Sequence, residues 1–358
     1  MSLRCPACAD TYEDRWRCRC GEPLRFADRP RPSATAPAAA DIDPAEGLWA
    51  FSEFLPIERR VSLGEGYTPL VDASAWDASF KLEYVFPTGS FKDRGATTTL
   101  SRAVSLGVDR VIEDSSGNAG VAIATYAARA GIPAEIYVPR DAKESKLCAI
   151  RRAGADTVRI DGPRETVTEA CLDSVRRGEG WYASHAWNPA FVCGTATMAY
   201  EIAAQRGWSA PDALVVPLGH GTMFLGAYRG FERLLEIGWI DRLPRLLGAQ
   251  AAGYAPIADA LDRDAAASAH NAAADGIRIR EPVQRSAILA AIEASNGDAI
   301  AVTESETLSE LDRLHDAGFY TEPTCAVAPA ALRTYRERGV IDPDDDVVVA
   351  LSGSGLKQ

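Results

Sequence analysis

Lysine is scarce in this chain of 358 residues, although basic residues as a class are not. It occurs only at positions 81, 92, 143, 146 and 357, and the other 33 of the 38 basic residues are arginine. Because a guanidinium group cannot form an ordinary Schiff base, a lysine kept inside a motif is a candidate for chemistry that needs a primary amine. Lys92 is such a residue.

Two further absences narrow the class of protein. No stretch approaches the roughly 18 apolar residues of a membrane span, and the N-terminus lacks the charged-then-apolar pattern of a signal peptide. We therefore expect a cytoplasmic protein with no membrane partner and no disulfides. Acidic residues also outnumber basic residues, which gives the chain a net charge of −12. An acidic surface disfavours contact with phosphate backbones, so no nucleic-acid partner is expected.

The length and the pattern of the chain predict a small head, a linker and an α/β body. A chain of this length predicts two packed units plus an appendage. Residues 28–45 are rich in proline and alanine without an apolar period, which predicts an extended linker after a head of residues 1–27. Apolar strands then alternate with amphipathic helices, which predicts parallel sheets covered by helices. The strand candidates are 110–114, 134–139, 156–160, 213–218, 245–250 and 347–352.

Four cysteines crowd into the head, at Cys5, Cys8, Cys18 and Cys20. Four thiolates at such spacing can close a tetrahedral zinc site, and a head this small needs a metal to fold by itself. The sequence thus predicts a structural zinc ion in a zinc-ribbon-like head. The alternative is a flexible head with reduced thiols.

The motif PTGSFKDRGA, residues 87–96, places Lys92 in the first turn of a predicted helix with Ser90 as its N-cap. The positive end of the helix dipole disfavours an ammonium group, so we expect a lowered pKa that makes Lys92 a better nucleophile and base.

Three other motifs follow predicted strands, where ligand sites of parallel sheets lie. Residues 114–120, DSSGNAG, put Asn118 at a helix start, where it could donate to an oxygen anion. The turn Gly219, His220, Gly221 and Thr222 offers free amides and a hydroxyl to a phosphate. The last strand runs into SGSG, which places the Ser352 hydroxyl at its carboxyl end.

Together these motifs resemble those of the tryptophan-synthase-β-like, fold type II family of pyridoxal-phosphate enzymes. Several stretches are similar to those of its threonine synthase branch: GEGYTPL at 64–70, TGSFKDRG at 88–95, Asn188-Pro189, GFYTEPTCA at 318–326 and the terminal SGSGLK. The resemblance covers residues 45–358. It implies two open, twisted, mostly parallel sheets, a large cofactor-binding domain of residues 46–95 and 190–358, a small substrate-side domain of residues 96–189, and a homodimer.

The resemblance also implies roles for single residues. Lys92 bonds to the cofactor, Asn118 contacts its ring hydroxyl, Gly219 to Thr222 hold its phosphate, and Ser352 lies beside its pyridine nitrogen. A neutral hydroxyl there stabilises a protonated ring less than a carboxylate would, which favours elimination and replacement over transamination. The residues implied to bind substrate are Ser90, Ser115, Ser116, Gly117 and Asn188.

Two departures from the family pattern keep alternatives open. The chain has CGTAT at 193–197 where a Glu-Gly-Gln-Lys-Thr-like stretch is expected, and so lacks a lysine that bears on recognition of a phosphorylated substrate. It also has Gly-His-Gly-Thr at 219–222 where Gly-Asn-Ala-Gly-Asn is usual. The leading hypothesis is a threonine synthase that acts on a small phosphorylated amino acid. The alternatives are a threonine or serine dehydratase, a phosphoserine-dependent, cysteate-synthase-like β-replacement enzyme, and a non-catalytic adaptor.

Overall fold

Two separate parallel sheets organise the body of the protein, as seen in a computed structural model that describes residues 2–32, 35–142, 144–262 and 269–357. The strands are β1 (Leu3–Arg4), β2 (Thr11–Tyr12), β3 (Arg25–Phe26), β4 (Leu70–Ala73), β5 (Ala78–Lys81), β6 (Val111–Glu113), β7 (Ala134–Pro139), β8 (Asp156–Ile160), β9 (Trp181–Tyr182), β10 (Ala213–Pro217), β11 (Arg245–Ala251), β12 (Asp298–Val302) and β13 (Val347–Ala350).

The helices that cover these strands come mostly between them in the sequence. They are α1 (Lys92–Leu106), α2 (Asn118–Ala130), α3 (Glu144–Arg152), α4 (Arg164–Arg176), α5 (Pro189–Gln205), α6 (Thr222–Glu236), α7 (Pro256–Ala260), α8 (Arg285–Ala294), α9 (Glu304–Asp316) and α10 (Pro323–Glu337). Short 3₁₀ helices lie at Ala39–Asp41, Pro44–Phe54, Ser74–Trp76, Asp275–Ile277 and Gly355–Lys357. Among the described residues, no helix combines the length and the apolar character that crossing a membrane requires.

The larger sheet has six strands in the order β12-β11-β10-β13-β5-β4, and all neighbours are parallel except the antiparallel edge pair β4 and β5. Its central strands are apolar throughout because both faces are covered. Leu214 and Val216 of β10 face a cluster that includes Phe224 and Phe231 of α6. Val215 faces the opposite cluster, which includes residues of α10. Successive side chains of a strand point to opposite faces, so this one sheet contributes to a hydrophobic core on each side.

The smaller sheet has four parallel strands in the order β8-β7-β6-β9. One face packs on α1 and α2, where Val111 and Ile136 meet Leu100 and Tyr126. The other face packs on α4. The predicted α/β class with mostly parallel sheets is therefore confirmed.

The head is a three-stranded antiparallel sheet, β2-β1-β3, that packs against the smaller sheet. The Trp16 ring lies edge-on to the rings of Tyr182 and Trp187, with centroids 5.6 and 5.1 Å away. Asp14 accepts hydrogen bonds from Arg102 of α1 and from the Trp181 indole, both at 2.8 Å. The segment after the head then contacts the turn that follows α5, since the Trp208 indole donates a hydrogen bond of 2.6 Å to the Pro37 carbonyl.

Candidate active site

Lys92 begins α1 at a point where the end of the chain pairs with the turn that precedes it. The Phe91 amide donates to the Ser352 carbonyl at 3.1 Å, and the Ser354 amide donates to the Gly89 carbonyl at 2.9 Å. Ser90 and Gly353 form an antiparallel bridge between these two contacts. The pairing brings Ser352 beside the lysine turn, although 260 positions separate the two in the sequence.

The predicted N-cap at Ser90 is wrong. The cap position of α1 is Phe91, which has helical backbone angles, and no side chain caps the helix. Ser90 is extended instead because it pairs with Gly353. Its hydroxyl is buried and has no partner among the described residues. An unsatisfied buried hydroxyl beside Lys92 is suited to a ligand contact.

The residues that follow Lys92 fix the start of α1. Asp93 accepts hydrogen bonds from the amide and the hydroxyl of Thr88, which closes the turn. Gly95 is required by packing, since a β-carbon there would lie 2.2 Å from Cδ1 of Phe191 in α5. Helices α1 and α5 therefore approach closely beneath the lysine.

Arg94 anchors the same turn through a fully buried ion cluster. Its guanidinium contacts Glu83 at 2.6 Å and Glu201 of α5 at 2.5 Å. Lys81 of β5 contacts Glu201 at 2.8 Å. Burial alone would raise the pKa of Glu201, but the charges of Arg94 and Lys81 lower it to about 2. Glu201 is thus an anion that ties α5 to both the sheet and α1.

The Lys92 amine is buried, and this changes its acid–base behaviour. Burial lowers the pKa of Lys92 to about 7, and the nearby charge of Lys357 adds to the effect while Glu322 opposes it. Its Nζ lies 3.8 Å from the centroid of the Phe91 ring. The expected lowering is therefore found, but its main cause is loss of water rather than the helix dipole. A large fraction of this lysine is neutral and nucleophilic near pH 7.

Asn118 lies at the start of α2, as the sequence predicts, with its amide held from two sides. Its Nδ2 donates to Oε1 of Glu322 at 2.9 Å, and its Oδ1 accepts from Nζ of Lys357 at 2.7 Å. Glu322 precedes α10, which covers the larger sheet, so this contact joins it to α2, which covers the smaller sheet. Sequence reasoning assigned no role to Glu322 or Lys357, although both lie in motifs that carry the family resemblance. The scarcity of lysine was a signal that could have found Lys357.

The turn of Gly219, His220, Gly221 and Thr222 lies between β10 and α6 and leaves the start of that helix uncapped. Gly221 has a left-handed backbone with φ of 80°, and no side chain bonds to the first helical amides. Both ring nitrogens of His220 are buried without a partner among the described residues. Uncapped amides and an unpartnered imidazole at one helix start suit a phosphate group.

A second buried pair, which sequence reasoning did not anticipate, lies near Lys92 and this turn. Nδ1 of His185 is 2.6 Å from Oε1 of Glu113, at the carboxyl end of β6. Burial raises the pKa of Glu113 well above its usual range, and burial lowers the pKa of His185 to about 3. Both directions favour the uncharged form of each partner. The His185 ring lies edge-on to the His220 ring at 5.3 Å.

The remaining predicted residues lie in two places. Ser115 accepts a hydrogen bond of 3.3 Å from the Gly117 amide, and with Ser116 they form the loop between β6 and Asn118. Asn188 is the N-cap of α5, where its side chain accepts from the Ala190 amide at 3.0 Å. The structure gives Asn188 this capping contact, and its role toward a substrate stays a prediction.

The four head cysteines converge, as their spacing predicts. The sulfurs of Cys5 and Cys20 are 3.5 Å apart, those of Cys8 and Cys18 are 3.4 Å apart, and all four lie within 4.8 Å of one another. Zn–S bonds of about 2.3 Å in a tetrahedron place sulfurs at similar separations, so the thiolates suit a zinc ion.

These features also fit the implied cofactor. The uncapped α6 start with His220 suits its phosphate, and the weakly basic, buried amine of Lys92 suits its aldehyde carbon. Comparison with protein families agrees, because the profile described as "Pyridoxal-phosphate dependent enzyme" matches residues 61–353. The chain belongs to this family of pyridoxal-phosphate dependent enzymes. The family resemblance read from its motifs is therefore confirmed.

Curated relatives within this pyridoxal-phosphate family match the chain over most of its length. The threonine synthase of Methanocaldococcus jannaschii is 31% identical, with 100% of this chain and 93% of the relative covered. That of Methanosarcina acetivorans is 35% identical over 87% and 80%. That of Synechocystis sp. is 33% identical over 91% and 88%.

Solved structures show the same family fold at lower identity. Maize serine racemase aligns with a TM-score of 0.71 at 21% identity, covering 89% of this chain and 94% of that one. Threonine deaminase isoform 2 from Solanum lycopersicum aligns with a TM-score of 0.69 at 20% identity, covering 94% and 91%. At such identities the likeness establishes the fold alone.

Proposed function

We propose that this chain is a threonine synthase that converts O-phosphohomoserine and water into threonine and phosphate. The observation that carries this proposal is the match, nearly from end to end, to curated threonine synthases at 31–35% identity. The structure supports the chemistry, since a buried amine with a pKa of about 7 lies among residues that fit the family's cofactor.

Lys92 carries the central role in this proposal. When bound, pyridoxal phosphate supplies an electron-withdrawing ring that stabilises negative charge on the neighbouring substrate carbon. The Lys92 amine would hold the cofactor, and the same amine would move protons at Cα and Cβ of the substrate. Phosphate then leaves from Cγ, Cγ gains the proton that Cβ lost, and water adds its hydroxyl at Cβ while its proton goes to the released phosphate. An amine with a pKa near 7 can both take and return a proton at neutral pH.

The other residues hold and orient the reactants. Gly219 to Thr222 bind the cofactor phosphate at the start of α6, Asn118 contacts the ring hydroxyl, and Ser352 contacts the pyridine nitrogen. The positions of Ser352 and Asn118 support these two roles. The segment of residues 352–354 pairs with the Lys92 turn, and the Asn118 amide is held by Glu322 and Lys357.

The substrate side of the site belongs to the smaller sheet. The loop of Ser115, Ser116 and Gly117 lies at the carboxyl end of β6, opposite the cofactor turn of the larger sheet. We assign this loop, together with Ser90 and Asn188, to substrate binding. We propose the same division into two domains, with a large cofactor-binding domain of residues 46–95 and 190–358 and a small substrate-side domain of residues 96–189.

A paired assay tests the proposed reaction. Phosphate release and threonine formation from O-phosphohomoserine are measured beside keto-acid formation from threonine and serine. We expect threonine and phosphate in equal amounts and little keto acid. Keto acid as the main product, with no threonine from O-phosphohomoserine, would identify a dehydratase instead. Phosphoserine serves as a third substrate, because its turnover with an added nucleophile would indicate a β-replacement enzyme.

We also propose that the head holds one structural zinc ion on Cys5, Cys8, Cys18 and Cys20. The convergence of the four sulfurs supports this site. The apolar cluster beside them is small, so the head depends on a metal ion for much of its stability. Protein purified without chelator should contain about one zinc per chain by elemental analysis. Absence of metal together with free alkylation of all four thiols would refute the zinc site.

A further inference from the structure

The proposed substrate carries a phosphate group, and the stretch expected to supply a cation for it cannot do so. Residues 193–197 lie within α5 and include no basic side chain. Their hydroxyls are used inside the protein, since Thr195 donates to the Thr222 carbonyl at 2.8 Å and Thr197 donates to the Gly194 carbonyl at 2.6 Å. A doubly charged substrate therefore needs its cation from another element.

Arg164 is the cation that meets this need. Its charge contributes to the pKa shifts of Lys92, Glu113, His185 and His220, so it lies close enough to act on groups of this site. Within the part of the chain that the structure describes, no hydrogen bond or ion pair occupies it. The other cation that lowers the pKa of Lys92 is Lys357, and that residue is bound to Asn118.

The fold places Arg164 over the substrate loop. It is the first residue of α4, and Thr168 lies one turn later on the same face of that helix. The Thr168 hydroxyl donates a hydrogen bond of 2.6 Å to Oδ2 of Asp114, the residue that directly precedes Ser115. The second Asp114 oxygen accepts from Tyr182 at 2.8 Å, so both carboxylate oxygens are engaged by hydroxyls. The face of α4 that carries Arg164 thus covers the loop between β6 and α2.

We propose that Arg164 binds the phosphate group of the substrate and thereby selects phosphorylated amino acids; this inference rests on the proposed function. A guanidinium group offers a planar fork of donors that matches phosphate oxygens two at a time. Arg164 also lies at the positive end of the α4 dipole, which favours an anion at the same place.

The test compares Arg164→Gln with the wild-type holoenzyme and with Arg176→Gln. Arg176 lies on the same helix, is exposed and pairs with Glu169 and Asp173, so its variant loses the same charge away from the site. Binding of inorganic phosphate is measured by calorimetry, and kinetics with O-phosphohomoserine are measured beside it. In Arg164→Gln, the phosphate dissociation constant and the KM should rise about 10- to 100-fold, the loss of one or two charged hydrogen bonds.

Two readouts separate this role from a purely structural one. The cofactor dissociation constant of Arg164→Gln, and both phosphate constants of Arg176→Gln, should stay within about twofold of wild type. Arg164→Lys keeps the charge but loses the fork, so its phosphate binding should be intermediate, and it serves if the Gln variant does not fold.

Unchanged phosphate binding in Arg164→Gln would overturn the inference. So would a loss of cofactor affinity parallel to the loss of phosphate binding, because Arg164 would then hold the cofactor. The calorimetric arm does not depend on turnover. A wild-type protein that makes no threonine would therefore refute the proposed function, while the phosphate titration would still decide the role of Arg164.

Discussion

Replacing Lys92 by methionine should stabilise the cofactor-free protein while removing its activity. Methionine is apolar and of similar length, so it can occupy the same buried space without a charge. The protonated amine is poorly solvated there, as the lowered pKa shows. Catalytic sites commonly contain residues that serve the reaction and lower the stability of the folded protein.

The pKa of Lys92 sets the size of the effect. It lies at about 7 in the folded protein against an ordinary 10.5, and at about 1.36 kcal/mol per pKa unit the gap corresponds to roughly 5 kcal/mol. The contact of the ammonium with the Phe91 ring disappears in the variant, which offsets about 1 kcal/mol. We therefore expect Lys92→Met to raise the free energy of unfolding by roughly 4 kcal/mol near pH 6.

The pH dependence gives this prediction its sign. Between pH 7 and 10.5 the unfolded chain binds the Lys92 proton and the folded chain does not, so wild-type stability rises with pH across this range. The advantage of Lys92→Met should therefore be largest at or below pH 7 and should shrink toward pH 10. Urea unfolding of both cofactor-free proteins at pH 6, 8 and 9.5 measures it.

Lys81→Met is the matched control, because Lys81 is also fully buried but is paired with Glu201 at 2.8 Å. Its loss should destabilise the protein, since a buried carboxylate then lacks one of its partners. If Lys92→Met is no more stable than wild type at pH 6, or if its advantage is constant across pH, the reasoning from burial is wrong.

Three further changes test the framework around the site. Glu201→Gln should lower the free energy of unfolding by about 3–5 kcal/mol, because Arg94 loses a charged partner. The pKa of Glu201 is lowered to about 2, so the difference between the variant and wild type in urea unfolding should shrink as the pH falls toward that value. A difference that stays constant down to pH 2 would argue against this role of Glu201. Gly95→Ala should cost about 1–3 kcal/mol of unfolding free energy, because the added carbon overlaps the Phe191 ring; an unchanged denaturation midpoint would contradict this. Trp16→Ala should loosen the head and speed limited proteolysis of the segment after it, since two aromatic contacts with the smaller sheet are lost; an unchanged cleavage rate would show that the head docks by other contacts.

The central strands of both sheets could be predicted because they are buried on both faces. Run 213–218 is apolar throughout and run 134–139 is apolar except for Glu135, and the observed strands, Ala213–Pro217 and Ala134–Pro139, follow them closely. Ala78–Lys81 and Asp298–Val302 were not predicted as strands. Each carries a fully buried charged residue, Lys81 or Asp298, and that burial depends on tertiary contacts that no local pattern shows.

The motifs by themselves determined the class of chemistry, because the lysine turn, the glycine-rich turn and the terminal SGSG stretch are each an unbroken run of residues that can be recognised in the sequence. They did not determine which distant groups meet there. Glu322 reaches Asn118 only because elements that flank the two sheets meet, and Glu113 pairs with His185 only because β6 and β9 are neighbours in the smaller sheet. The pKa of Lys92 was expected to fall for a local reason, the helix dipole, but burial is the larger cause. Burial is a property of the whole fold, so only the tertiary structure could decide how strongly this lysine is tuned.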